Sequence, residues 1–130
     1  MSLALFPEAT REDALSDIET VRSRPDAEVL VVERPTGMLA GFVEVGERAY
    51  ADGCDTSPVG YIEAWYVDPD VREQGYGRAL LEAAEAWARA RGRREMGSDA
   101  LLDNETSQRA HERSGYQEVD RIVQFRKSLL

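Results

Sequence analysis

Cysteine is nearly absent: the 130 residues contain one, Cys54, and one histidine, His111. A single cysteine excludes an internal disulfide and a cysteine-built zinc site, and no metal is expected. Long apolar runs are missing too. None approaches the roughly 18 residues of a membrane span. No basic start leads into an extended apolar stretch of the secretory kind. These absences predict a cytoplasmic protein without a membrane partner. No repeat, linker or low-complexity segment interrupts the chain, so residues 1–130 read as one domain. An excess of basic residues is also lacking, since the net charge is −9. Residues 1–68 hold 14 acids and 5 bases, whereas 69–130 hold 11 of each. A nucleic-acid binder needs the opposite sign, so none is expected as a partner. An acidic half can instead attract a cationic ligand, although acidity by itself also serves solubility.

What is present is enough for a core of ordinary size: 42% of residues are apolar. Thr10 as N-cap, with Ala14, Ile18 and Val21 at helical spacing, predicts a helix over 10–23. Valine-rich 28–34 and the segment 38–45 flank Pro35-Thr36-Gly37 and read as a hairpin. Residues 60–67, aromatic and β-branched, read as a strand that Asp68-Pro69 ends. A long helix follows over 77–90, with Leu80, Ala83, Ala84, Trp87 and Ala90 on its apolar stripe and Gly92 as its stop. A strand near 95–100, a helix over 104–114 ending at Gly115, and a strand pair at 116–120 and 122–126 complete the pattern. The fold class is mixed α/β, and the strand–helix–strand segment at 60–100 predicts a parallel pair joined by a right-handed crossover.

The turn Arg72-Glu73-Gln74-Gly75-Tyr76-Gly77 between strand and helix favours an anion. The first amides of a helix lack intrahelical acceptors and lie at the positive end of its dipole. Glycines let the backbone approach a phosphate closely, and Arg72 or Arg78 can add charge-assisted bonds. By itself this G-x-G fits a turn that needs glycine for geometry equally well. It is neither a P-loop, since GxxxxGK[ST] is absent, nor a dinucleotide fingerprint, whose third glycine is replaced by Leu80.

Val67-Asp68-Pro69, followed by Arg72-x-x-Gly75-x-Gly77 and Arg78-Ala79-Leu80-Leu81, resembles the coenzyme A motif of the GNAT acetyltransferases. The segment from Asn104 through His111 to Gly115-Tyr116 is similar to a second region of that family. The resemblance implies the GNAT fold, a central mixed sheet flanked by helices, with acetyl-CoA as co-substrate. Loop residues Arg72, Gln74, Gly75, Tyr76, Gly77 and Arg78 would hold its pyrophosphate. Tyr66 and Val67 would bond the pantetheine arm in a gap between splayed strands, and Asn104 would touch that arm. The match begins near Leu5, where the family's first helix ends. The usual first strand and most of the first helix are therefore expected to be missing, and a homodimer could cover the edge so exposed.

A finer resemblance, to aminoglycoside 6′-N-acetyltransferases, rests on Leu5-Phe6-Pro7, the run Gly53-Cys54-Asp55-Thr56-Ser57-Pro58-Val59, Tyr61-Ile62-Glu63, Ser98-Asp99 and His111. In direct transfer a neutral amine attacks the thioester, a carboxylate takes its proton, and a backbone N–H near Val67 stabilises the oxyanion. Glu63, alternating with Tyr61 and Trp65 on an aromatic face, is the first candidate for general base or amine anchor. An ion pair with an arginine on a neighbouring element is its structural alternative. Asp99 is a further catalytic candidate, and Asp99 and Asp55 are candidates for holding substrate, with turn or cap roles as alternatives. His111, or else Tyr116, is a candidate acid for the leaving thiolate. Cys54 reads as a small loop or core residue. Acceptors other than aminoglycosides (polyamines, small metabolites, protein N-termini) remain open, as does a non-catalytic acyl-CoA-binding module.

Overall fold

The computed structural model describes residues 18–130. Residues 10–17 of the predicted first helix lie outside them, as does the segment in which the family's opening strand and helix were expected to be missing. The chain divides into two compact units, one running to Asp99 and the other from Ala100 to Leu130.

The described residues of the first unit form a five-stranded sheet carrying one long helix. Its strands are β1 (Ile18–Arg24), β2 (Ala27–Glu33), β3 (Leu39–Arg48), β4 (Val59–Val67) and β5 (Met96–Ser98), adjacent in chain order. β1 to β4 are antiparallel neighbours, and β5 runs parallel to β4. The crossover between β4 and β5 contains a short 3₁₀ turn (Pro69–Val71) and helix α1 (Tyr76–Ala90). The predicted hairpin is β2–β3. Its turn is closed by Arg34 N–H donating to the Met38 carbonyl (2.7 Å) and Gly37 N–H to that of Arg34 (2.8 Å). Arg34 also reaches Asp68 (2.8 Å) and Asp70 (2.7 Å), fastening that turn to the exit of β4.

Residues 18–23 are strand rather than helix. Ile18 and Val21 do fall at helical spacing, but Ile18, Thr20 and Val21 are also β-branched. Pro25-Asp26 supplies the turn into β2, which pairs with nearly every residue of β1. Val21 is passed over in a register irregularity between Thr20 and Arg22 and stays exposed.

The helix α1 buries Tyr76, Ala79, Leu80, Leu81, Ala84 and Ala88, packing on β2, β3 and β4. Ala83 and Trp87 lie at the margin of this face and Ala90 is outside it, so the stripe is rotated slightly from the predicted one. Val32, Val43, Val45, Val59, Leu80 and Leu81 form the fully buried centre. The helix stops where predicted. Gly92 takes a left-handed conformation (φ 82°), and its N–H and that of Arg93 cap the carbonyls of Arg89 and Ala88.

The second unit holds α2 (Glu105–Arg113), ended by Gly115 at φ 91°. The predicted strand pair at 116–120 and 122–126 does not form. Residues 116–130 join no ladder among the described residues, and Val119, Ile122, Val123 and Phe125 are exposed. Alternating apolar residues give a segment a strand-like face, but a strand exists only where a neighbour accepts its hydrogen bonds. No described helix is long and apolar enough to cross a membrane.

Candidate active site

β4 and β5 stay together for three residue pairs only: Gly60–Met96, Tyr61–Gly97 and Ile62–Ser98. The pairing with β5 ends at Ile62, while β4 continues to Val67. The backbone of 63–67 therefore lines a gap in which a ligand can take the place of a strand. Glu63 opens one limb of this gap and Asp99, directly after β5, opens the other.

Glu63 is positioned by a bulge. Glu44 pairs with Ala64 and Val45 with Ile62, leaving Glu63 as the extra residue on β4. Bulges re-aim side chains. Tyr61 is buried, whereas the Glu63 side chain is 32% exposed. The two share a face of the sheet, since a Cβ on Gly46, the cross-strand partner of Tyr61, would lie 4.0 Å from Glu63 Cγ.

Arg48, the last residue of β3, meets Glu63 with both prongs of its guanidinium, at 2.7 and 2.9 Å. The same guanidinium lies 3.6 Å from the centre of the Tyr61 ring. The Tyr61 hydroxyl in turn donates to Asp99 at 2.7 Å. Glu63, Arg48, Tyr61 and Asp99 form one connected group, so the structure joins the two predicted carboxylates. Burial, followed by the bond to Asp99, pushes the Tyr61 hydroxyl up to about 12. It remains a donor throughout the neutral range. The bond to Glu63 likewise raises Arg48 above its ordinary value. Gly97 makes the arrangement possible, since a Cβ there would lie 2.8 Å from the Tyr61 ring. Arg48 and Tyr61 were not singled out from the sequence as site residues. The one available signal was the general rule that a carboxylate on a partly buried strand takes a cationic partner.

Asp55 lies in the loop between β3 and β4, and its side chain points to solvent. Its position depends on Glu95, whose Oε1 accepts from the amides of Asp55 (2.8 Å) and Thr56 (2.7 Å) and from the Thr56 hydroxyl (2.6 Å). Ser57 adds a bond to the Ala49 carbonyl, and the Ser57–Pro58 peptide is cis. Cys54 packs against Ala51, Val59 and Tyr61, and burial pushes its thiol up, as suits a core residue rather than a nucleophile.

The Thr56 hydroxyl, followed by the Thr56 amide, holds Glu95 below the ordinary carboxylate value of 4.5. With the folded value depressed, the clamp is in force above that ordinary value and is lost as pH falls through the lower folded one. In an NMR acid titration the Asp55 and Thr56 amide signals should therefore move together, with a midpoint below 4.5. Glu95→Gln should abolish this step. Amides that titrate independently of Glu95 would show that the clamp does not operate.

The phosphate loop has the geometry its sequence implies. Gly75 is the N-cap of α1, left-handed at φ 93° and without a side-chain cap. The first rung of the helix is Ala79 N–H to the Gly75 carbonyl (3.0 Å). Glu73 is also left-handed (φ 67°), which is uncommon for a residue with a side chain. Gly77 is needed for packing as well, since a Cβ there would sit 3.1 Å from the Trp65 ring. A glycine-built helix start without a side-chain cap, close in sequence to the end of β4, fits a diphosphate followed by an extended arm. Gly75, Gly77 and the exposed side chain of Arg78 lie at that start. Gln74 is half-buried and Tyr66 is exposed. The Tyr76 side chain is buried in the core, leaving only its backbone for a ligand. Arg72 donates to the Val67 carbonyl (3.0 Å), so here it braces the loop.

In the second unit, Asn104 caps α2, its Oδ1 accepting from the Ser107 amide (3.1 Å). His111 Nδ1 lies 2.7 Å from the Ser107 carbonyl, which assigns the proton to Nδ1, and its ring meets Tyr116 edge-on at 5.8 Å. Among the described residues, no three of His, Cys, Asp and Glu are grouped so as to hold a metal ion.

The model of the acetyltransferase (GNAT) family matches residues 3–116. The chain belongs to this family. The acetyltransferase is 42% identical to aminoglycoside N(6′)-acetyltransferase type 1 of Klebsiella aerogenes, over 99% of this chain and 87% of that protein. It superposes on aminoglycoside antibiotic 6′-N-acetyltransferase AAC(6′)-Ih of Acinetobacter baumannii with a TM-score of 0.76. That match has 31% identity and covers 82% of this chain and 74% of the other. A TM-score of 0.76 also relates it to AAC(6′)-Iy in complex with a bisubstrate analogue, CoA-S-monomethyl-acetylneamine. There the identity is 32%, covering 81% of this chain and 71% of that one. The acetyltransferase is accordingly an N-acetyltransferase that draws its acetyl group from acetyl-CoA.

Proposed function

We propose that this acetyltransferase acetylates the 6′-amine of aminoglycoside antibiotics and so confers resistance to them. The observation that carries this reading is the connected group at the mouth of the β4–β5 gap, where two carboxylates stand on opposite limbs. The names of the relatives at 31–42% identity support it. Acetyl-CoA supplies the acetyl group as a thioester. Gly75, Gly77 and Arg78 with the neighbouring loop amides would hold its diphosphate, and the backbone of 63–67 its arm. Glu63 accepts the proton of the attacking amine, directly or through water, which its exposure permits. Asp99, fixed by Tyr61, attracts the substrate's ammonium groups. A backbone N–H of β4 near Val67 would stabilise the oxygen on which charge develops.

The reading takes residues 1–130 as a single domain, in line with a family model that runs through both units. It places the protein in the cytoplasm, where acetyl-CoA is made and used. It also takes the protein as a homodimer without nucleic-acid or membrane partners. The exposed apolar residues of 116–130 support association with a second copy.

Thiol release from acetyl-CoA across a panel of amines tests the acceptor. Aminoglycosides bearing a 6′-amine should be substrates and their 6′-hydroxyl counterparts should not. Turnover of polyamines or peptides alone would replace the aminoglycoside by another amine. Coenzyme A binding without turnover of any amine would leave a non-catalytic module.

A further inference from the structure

The geometry points to Arg48 as a built-in occupant of the acceptor's cation position, a residue that sets which amines the enzyme accepts by competing with them for Glu63. This rests on the reading that Glu63 and Asp99 receive the substrate's charged amine.

The guanidinium uses both oxygens of Glu63, at 2.7 and 2.9 Å, and presses its face on the Tyr61 ring at 3.6 Å. A carboxylate and an aromatic face are the two groups that recognise an organic cation most strongly. Here both are engaged by the protein's own cation. Asp99, bonded to the far end of the same ring, feels that charge as well. An ammonium arriving at Glu63 therefore meets a like charge and must displace it.

Displacement is feasible because the pair lies at the surface. Arg48 is the terminal residue of β3, its side chain 44% exposed and that of Glu63 32%. Exposed ion pairs are individually weak, and a long side chain released from one regains rotamer freedom. Arg48 can swing into water without disturbing the sheet.

The consequence is discrimination. A simple monoamine that replaces Arg48 gains about what the protein loses, so its net affinity is small. A polycation brings further charges, which Asp99 on the other limb can receive, and gains more than it displaces. Specificity then arises from a competitor built into the site as well as from attraction.

The test is steady-state kinetics of Arg48→Ala and Arg48→Gln with an aminoglycoside and with a simple primary monoamine. The amine KM should fall by about 2- to 5-fold, the range an exposed ion pair can supply, and more for the monoamine than for the polycation. The KM for acetyl-CoA should stay unchanged. Guanidinium chloride, matched against sodium chloride, should inhibit Arg48→Ala competitively with the amine and affect the wild type less. A higher amine KM or lower kcat in the variants, restored by guanidinium, would overturn the inference and make Arg48 a positioning residue for Glu63. An unchanged amine KM would overturn it too. If no amine is turned over by the wild type, calorimetric titration of an aminoglycoside into wild type and Arg48→Ala separates the two readings. Tighter binding to the variant keeps Arg48 as competitor although the acceptor assignment has failed, and equal or weaker binding ends both.

Discussion

Glu63→Gln is expected to lower kcat/KM for an aminoglycoside 6′-amine by about 100- to 1,000-fold, within the range for losing a positioned general base. The substitution keeps the shape and one acceptor oxygen, so Arg48 retains a partner. What disappears is the ability to take a proton from the attacking amine. The loss should fall mainly on kcat, because Asp99 and Tyr61 still stand on the other limb. Folding should change little, since exposed ion pairs contribute at most about 1 kcal/mol. Thiol release measured against pH, with coenzyme A binding measured alongside, checks this. A Glu63→Gln enzyme within about threefold of wild type would remove Glu63 from the chemistry and leave Asp99 as the next carboxylate to substitute, general bases being worth far more than that factor.

Gly41→Ala should have the largest effect on stability. A Cβ at Gly41 would fall on the backbone carbonyl of Tyr66 and lie 3.0 Å from the Val67 Cα. Neither can yield as a flexible side chain would. Gly41 pairs with Val67, and the Asp68 amide donates to the Ala40 carbonyl at 2.8 Å, so the two strands are tied on both sides of the contact. Overpacking of this kind costs about 3 kcal/mol, and relief requires β4 to shift as a body. For a chain of this size that corresponds to a melting point lower by roughly 10 °C. Because Tyr66 and Val67 belong to the limb that lines the gap, affinity for coenzyme A should fall as well. Gly37→Ala is the control. Its φ is 87°, but a Cβ there meets nothing within 4 Å, so only the left-handed strain of about 1 kcal/mol applies. Equal melting points for the two variants would show that the close approach of β3 to β4 does not hold.

The elements with a local signature were readable in the sequence. The β2–β3 hairpin follows from valine runs around Pro35-Thr36-Gly37, and α1 from its stripe and Gly92. The parallel β4–β5 pair follows from a strand–helix–strand order that permits little else. Glu63 and Asp99 were readable as candidates because each is an acid beside a core strand. What escaped depends on contacts distant in sequence. The bulge at Glu63 arises from register with β3, and no residue of β4 announces it. Arg48 is 15 residues from its partner and on another strand. Glu95 holds a loop 39 and 40 residues away. β1 was misread because Ile18 and Val21 fall at helical spacing, and only pairing with β2 makes the β-branched run a strand. The apolar alternation after Tyr116 shows a capacity for pairing that nothing in the described sheet meets.

The connections of the sheet also set the order in which it can assemble. β1 to β4 are each joined to their neighbour by a local segment, so the meander closes by short-range contacts. β5 reaches β4 only after the whole crossover has been laid down, and its three pairs must repay that longer closure. Glu63 and Asp99 therefore meet late in folding. The same thin seam is where native-state opening should begin, ahead of the strands buried beneath α1. The acceptor site is the last part of the sheet to be made and the first to be lost, so inactivation under mild stress should precede unfolding.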